Sequence, residues 1–310
     1  MPELPEVQTT VNGVRKYLTG LSIIDAWTDY ASKFHANKDN IQNPAFFARF
    51  RNEVKGTKIT GADRRGKNVL IRLSNGKTIL IHMKMTGHVM YGAYEKRANG
   101  KESWIATEPG PLRDDPFNKF VHFVLALSNG KAMVLSDMRK FAKVTLIDSN
   151  RMDESLHLST HGPEPLDKKF GVAELKAAVF KKPNGPVKQV LMNHEVISGI
   201  GNIYSDEILW RAGVHPLEKI KDISDKKWPV IHKAMKETLK NGIDFGGDSM
   251  SDYRNILGER GKFQNRHRAY RRTGEKCSKL GCTGIIKRIK IGGRSGHFCD
   301  THQKLTRGRR

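Results

Sequence analysis

Cysteine is scarce in this chain of 310 residues: there are three, an odd number that argues against a disulfide framework. No apolar run approaches the roughly 18 residues a membrane-crossing helix needs, and the start MPELPEVQ has neither the basic nor the apolar region of a secretory signal. Acidic residues are also in deficit, 32 against 55 basic ones, giving a net charge of +23 and an isoelectric point near 10.0. Such an excess is useful against a polyanion, and nucleic acid is the leading partner. An anionic membrane is the weaker choice, because no basic segment carries a clean apolar face. From Arg254 to Arg310 there are 17 basic and 3 acidic residues, so more than half the excess lies at the C-terminal end. The expected location is therefore intracellular, with the DNA, in the cytoplasm or nucleoid of a bacterium.

Hydrophobic residues make up 37% and charged residues 28%, an ordinary globular composition. The length suits two compact domains, and a third small one only if something staples it. A helix is expected over about 6–18, where Val7, Val11, Val14, Tyr17 and Leu18 recur at helical spacing. Residues 22–147 read as all-β, and the tetrapeptide Ser-Asn-Gly-Lys at 74–77 and again at 128–131 marks two hairpins. A Pro- and Gly-containing break at 160–171 precedes helical stretches at 172–181, 186–195, 203–212 and 225–242. Beyond Phe245 a polar segment without period reads as a long loop, which in a compact protein is functional or disordered. The expected division is 1–150, 151–252 and 253–310.

All three cysteines fall in the last part: Cys277 and Cys282 in C-x4-C spacing, then Cys299 with His302 in C-x2-H. Two close pairs on either side of an Ile-rich hairpin suit one tetrahedral structural Zn2+. Arg294 stands at the hairpin tip, where a phosphate or strand backbone could meet it. At the other end, removal of Met1 would expose the secondary amine of Pro2. An α-amino group titrates near pH ~8 and is partly nucleophilic at neutrality. Attack on a sugar's anomeric carbon would give an iminium that acts as an electron sink, with Glu3 and Glu6 placed for proton transfer.

The blocks PELPEV at 2–7, GKNVL at 66–70, HMKMTG at 82–87, SDMRKF at 136–141, GPEPL at 162–166, ISGIGNIYSDEILWRAGVHP at 197–216 and the terminal GRSGHFC resemble, in order, the formamidopyrimidine-DNA glycosylase family that includes endonuclease VIII. The resemblance spans Pro2 to His302. It implies an α+β multidomain fold: an N-terminal helix with a β-sandwich, a helix-two-turn-helix domain and a C-terminal β-hairpin zinc finger, gripping damaged duplex DNA between them. It further implies a base-excision repair glycosylase with lyase activity, monomeric and without a nucleotide cofactor. Pro2 would form the Schiff base and Glu3 would donate a proton, while Lys67 would serve β-elimination and Arg294 δ-elimination. Met85, Arg139 and Phe141 match the family's wedge residues, which fill the void left by an extruded base. The backbone grip maps onto His82, Lys188, Asn202 and Tyr270, with Lys119 and His122 beside it; Asn202 opens a helix, whose end favours phosphate.

Three departures stand out. A family His-x-His pair is reduced here to His122 in KFVH, Asn184 takes a position expected to be lysine beside Lys181 and Lys182, and His302 replaces a fourth cysteine. The alternatives are an endonuclease VIII-like enzyme for oxidised pyrimidines, a non-catalytic DNA-binding zinc protein, and, disfavoured by size and charge, an N-terminal-proline tautomerase. Met85 and the long loop favour oxidised purines.

Overall fold

A computed structural model describes residues 1–31, 38–97, 103–155 and 158–306. The chain folds as two compact units, Met1–Ser159 with Phe245–Lys262, and Thr160–Asp244 with Phe263–Arg310.

The first unit opens with α1 (Leu4–Tyr17), which buries Val7, Val11 and Val14 as its spacing predicts, with Leu18 buried at its C-cap. It continues through β1 (Ile23–Thr28), α2 (Pro44–Val54), β2 (Ile59–Arg65), β3 (Asn68–Leu73), β4 (Lys77–His82), β5 (His88–Gly92), β6 (Tyr94–Arg97) and β7 (Ser103–Ala106). A single turn, α3 (Pro111–Asp114), precedes β8 (Val121–Leu127), β9 (Ala132–Ser136) and β10 (Lys143–Asp148). Two antiparallel four-stranded sheets result, in the orders β1-β8-β9-β5 and β10-β4-β3-β2. Val69, Ile71, Leu73, Ile79 and Ile81 of one sheet share a single core with Phe123, Leu125, Leu127, Met133 and Leu135 of the other and with α1. This period-two alternation makes the unit a β-sandwich. The opposite face of the first sheet buries Met90, Val124 and Val134 under Trp104 and Leu112.

Both Ser-Asn-Gly-Lys tetrapeptides form the connections expected of them. Asn75 and Asn129 each accept the backbone N–H of the following lysine, and Gly76 and Gly130 take φ of 75° and 77°, a region costly for any side chain. The expectation of strands alone between 22 and 147 is corrected by α2. There Asn43 caps the N–H of Ala45 at 3.1 Å, Pro44 occupies the first turn, and Phe46, Phe50 and Val54 form its buried stripe.

The long segment after Phe245 is built onto the first unit. Ile256 lies in its core and its carbonyl accepts the N–H of Tyr91 at 2.7 Å. A Cβ on Gly13 would meet Ile256 at 2.5 Å, so glycine is what lets α1 approach this strap. Arg254, 2% exposed, pairs with Asp115 at 2.7 Å.

The second unit contains α4 (Val172–Val179), α5 (Val187–Met192), α6 (Asn202–Ala212) and α7 (Trp228–Asp244), followed by the hairpin β11 (Ile286–Ile291) and β12 (Arg294–Cys299). Trp228 and Tyr204 are its largest buried side chains. The α6 N-cap is Gly201, and the helix ends at Gly213 in the left-handed region, φ 64°.

Candidate functional site

In the first unit Pro2 and Glu3 are buried just before α1, and Glu6 in its first turn is 2% exposed. Glu6 Oε2 accepts the backbone N–H of Glu3 at 2.7 Å and Oε1 that of Asp248 at 2.8 Å. The Tyr253 hydroxyl donates to the Glu6 carbonyl at 3.0 Å. A carboxylate holding two backbone amides fixes where Pro2 and Glu3 point, and it ties them to the 245–262 strap. Lys67 is half-buried in the tight turn between β2 and β3, beside Gly66 at φ 57°.

Met85, Arg139 and Phe141 come from two loops, after β4 and after β9. Met85 is 42% and Phe141 49% exposed, unusual for large apolar side chains, and the Arg139 guanidinium lies 4.5 Å from the centre of the Phe141 ring. His82 ends β4, its Nδ1 accepting the Lys84 N–H at 3.0 Å. Lys119 is exposed. His122 is mostly enclosed: Nδ1 is 2.7 Å from Asp29 Oδ1, and its ring meets Tyr30 edge-on at 5.6 Å. Lys140 reaches the other Asp29 oxygen at 3.0 Å. Although burial opposes it, these partners hold the Asp29 carboxyl down at about 2.

In the second unit Asn202 forms the first turn of α6. Its carbonyl accepts from Lys188 Nζ at 3.1 Å. Lys188, expected to grip a phosphate, is instead 1% exposed: its ammonium contacts Asp206 Oδ1 at 2.6 Å and Ser205 Oγ at 2.9 Å. Asp206 Oδ2 in turn accepts the His297 backbone N–H at 3.0 Å and lies 2.8 Å from His297 Nδ1. Lys188 therefore joins the N-terminal turn of α6 to β12. Tyr270, half-buried, is set by Glu207, whose carboxylate accepts the N–H groups of Arg268, Ala269 and Tyr270 at 2.8–2.9 Å. Asn184, Lys181 and Lys182 are all exposed.

Arg294 is exposed at the tip of the β11–β12 hairpin, next to Gly292 and Gly293 at φ 53° and 77°. At the hairpin base Cys277, Cys282, Cys299 and His302 bring four ligand atoms within 4.8 Å of one another. A tetrahedron with metal–sulfur distances of about 2.3 Å and metal–nitrogen of about 2.0 Å has edges of roughly 3.5–3.8 Å. The Sγ and Nδ1 atoms are separated by 3.5, 3.6 and 3.7 Å along three of these edges. His302 Nε2 lies 3.0 Å from the Trp210 carbonyl, a partner for an Nε2–H that leaves the Nδ1 lone pair for a metal. The four residues could hold one metal ion, with His302 Nδ1 offered as the fourth ligand atom.

Sequence reasoning passed over Asp137, Asp206 and Glu207. Each lies inside a quoted block or helix, yet burial and partners decide its importance, and neither can be read from spacing.

The family model for the formamidopyrimidine-DNA glycosylase N-terminal domain matches residues 1–144, and that for the formamidopyrimidine-DNA glycosylase H2TH domain matches 161–254. The formamidopyrimidine-DNA glycosylase of Roseobacter denitrificans is 33% identical over 304 residues, covering 98% of this chain and all of that protein. The Bacillus subtilis enzyme of the same name is 34% identical over 306 residues, covering 96% and 98%. Among solved structures, the Lactococcus lactis Fpg bound to abasic-site DNA superimposes with a TM-score of 0.80 at 28% identity, covering 97% of this chain and 99% of the other. MutM in complex with DNA containing carbocyclic 8-oxo-G does so with a TM-score of 0.78 at 28% identity, covering 98% and all of that chain.

Proposed function

Because this chain belongs to the formamidopyrimidine-DNA glycosylase family, we propose that it is a base-excision repair glycosylase and lyase that removes oxidised purines from duplex DNA. The observation that carries the reading is the seating of Pro2 and Glu3 by Glu6, which both pins the N-terminal turn and reaches the strap. With Met1 removed, the Pro2 nitrogen donates its electron pair to C1′ of the damaged deoxyribose. The bond from C1′ to the base breaks, and its pair leaves with the base, which takes up a proton. Glu3 protonates the ring oxygen as the sugar opens, leaving an iminium on Pro2. Loss of a C2′ proton then expels the 3′ phosphate. Lys67 is the base nearest to that role by motif, and Arg294 assists departure of the second phosphate. Glu6 is a positioning residue.

Met85, Arg139 and Phe141 occupy the space vacated by the extruded base, repaying unstacking that costs a few kcal/mol. His82, Lys119 and His122 of the first unit and Asn202 and Tyr270 of the second each contact the DNA backbone in this reading. Lys188 acts through Asn202 and the hairpin without touching phosphate. Zn2+ is the ion that a three-thiolate, one-imidazole set selects; bound there, it would staple the hairpin and perform no chemistry. The partner is damaged double-stranded DNA, the protein works as a monomer inside the cell with that DNA, and no nucleotide cofactor takes part.

Borohydride trapping on duplex DNA containing 8-oxoguanine opposite cytosine tests the reading. A covalent adduct is expected, and it is lost in Pro2→Gly. Tight DNA binding without an adduct would instead mark a non-catalytic binder, and faster cleavage of thymine glycol opposite adenine would overturn the purine preference.

A further inference from the structure

Asp137 is wholly buried between the two loops that carry Met85, Arg139 and Phe141, and its carboxylate touches both. Oδ1 accepts from the hydroxyl of Thr86, the residue after Met85, and from the N–H of Arg139 at 3.3 Å. Oδ2 accepts from the Tyr30 hydroxyl at 3.0 Å and the Ala142 N–H at 2.7 Å. The Thr86 hydroxyl also accepts the Arg139 N–H at 3.2 Å. Arg139 and Ala142 bracket Phe141, so a single carboxylate holds the roots of all three exposed side chains. Burial and the charge of Asp137 raise the Tyr30 hydroxyl above its ordinary range, so it remains a donor. The loops are not in relaxed conformations: Lys84 and Lys140 take φ of 54° and 53°, left-handed values that non-glycine residues adopt only when their surroundings hold them.

We propose that Asp137 is a positioning residue that locks the Met85 loop and the Arg139–Phe141 loop into one preset wedge, coupled through the Thr86 hydroxyl. This role rests on the glycosylase reading above. Side chains on two independent loops would each lose freedom on entering the duplex; mounted on a common carboxylate, they have already lost it on folding. The coupling therefore acts on extrusion of a stacked base and leaves the chemistry at the sugar alone.

Thr86→Val keeps the β-branched shape and removes the bridge to Asp137. Single-turnover excision of 8-oxoguanine from duplex DNA is compared with strand cleavage at a preformed abasic site, and 2-aminopurine fluorescence beside the lesion reports extrusion. Excision and the fluorescence rise are expected to slow about tenfold, the scale of one lost hydrogen bond to a charged acceptor, with abasic cleavage changed less than about twofold. Thr86→Ser should restore both. Adding Met85→Ala to Thr86→Val should cost less than Met85→Ala costs alone, because Met85 has already lost its mount. Equal slowing of both reactions, no slowing, or strict additivity would overturn the coupling. A wild-type protein that cleaves neither substrate would overturn the glycosylase reading itself, and this role with it.

Discussion

Lys188→Met separates a phosphate-binding lysine from an internal strut. The ammonium is 1% exposed and bonded to Asp206, Ser205 and the Asn202 carbonyl, while Asp206 is fully buried. Methionine fills much of the stem's volume, so the cost arises mainly from leaving Asp206 with His297 alone. Removing one partner of a buried ion pair costs about 3–5 kcal/mol, and the retained bonds to His297 place this case near the lower end. At ~2–4 °C per kcal/mol for a domain of this size, the second unit's melting temperature should fall by roughly 6–12 °C. A lysine that contacts no phosphate releases no counterion on binding. Undamaged-duplex affinity measured across ~50–200 mM salt should therefore keep its log–log slope in the variant, whereas a phosphate-binding lysine would lower the slope by about 0.9. Exposed Lys182→Ala provides the internal comparison for a charge at the surface. Unchanged melting combined with a slope reduced by nearly one in Lys188→Met would refute the strut and restore the phosphate contact.

Other outcomes follow from named contacts. Chelation that strips the Cys277, Cys282, Cys299 and His302 cluster should unravel the β11–β12 hairpin and abolish DNA binding while the β-sandwich stays folded, as circular dichroism and duplex titration would report; full binding by demonstrably metal-free protein would show the hairpin to be dispensable. Glu6→Ala leaves the buried N–H groups of Glu3 and Asp248 unmatched, at about 1–3 kcal/mol each. Its borohydride-trapped adduct should therefore form at least about tenfold more slowly at an abasic site with DNA affinity retained, and a wild-type trapping rate would remove Glu6 from the positioning role. Burial holds the His88 imidazole down at about 4, against an unfolded value near 6.5. The unfolded chain therefore takes a proton that the native chain refuses, and stability should decline as pH falls from about 6.5 to about 4, by up to ~1.4 kcal/mol per unit. Urea titrations of His88→Gln across that window should lack this component of the slope; an identical slope would exclude His88 as its source.

What the sequence revealed was local. Asn-Gly turns, the α1 stripe and the paired metal ligands are each specified within a few residues, and each appears where the spacing predicts it. The hidden features were tertiary. The α2 helix interrupts a β-rich stretch, its Asn43-Pro44 start and Phe46, Phe50, Val54 stripe easily lost among apolar runs. Lys188 reads as a phosphate-gripping lysine until its burial against Asp206 is seen. Asp137 and Glu207 look like ordinary acids in helical or turn context, yet they organise the segments bearing Arg139 and Tyr270. The placement of 245–262 on the sandwich depends on contacts with residues more than a hundred positions earlier, which no local pattern encodes.

That strap makes the sandwich discontinuous in the chain, and order of synthesis then matters. A nascent polypeptide released from the ribosome only as far as residue 159 has every strand of both sheets but lacks Ile256 for the pocket over Gly13 and lacks the Asp248 amide for Glu6. The entire α4–α7 helical stretch must emerge before the N-terminal turn acquires its final partners. A partly made chain thus lacks the partners that seat its N-terminal turn, and fragments cut at the apparent domain boundary should be unstable and inert toward DNA however well their sheets pair.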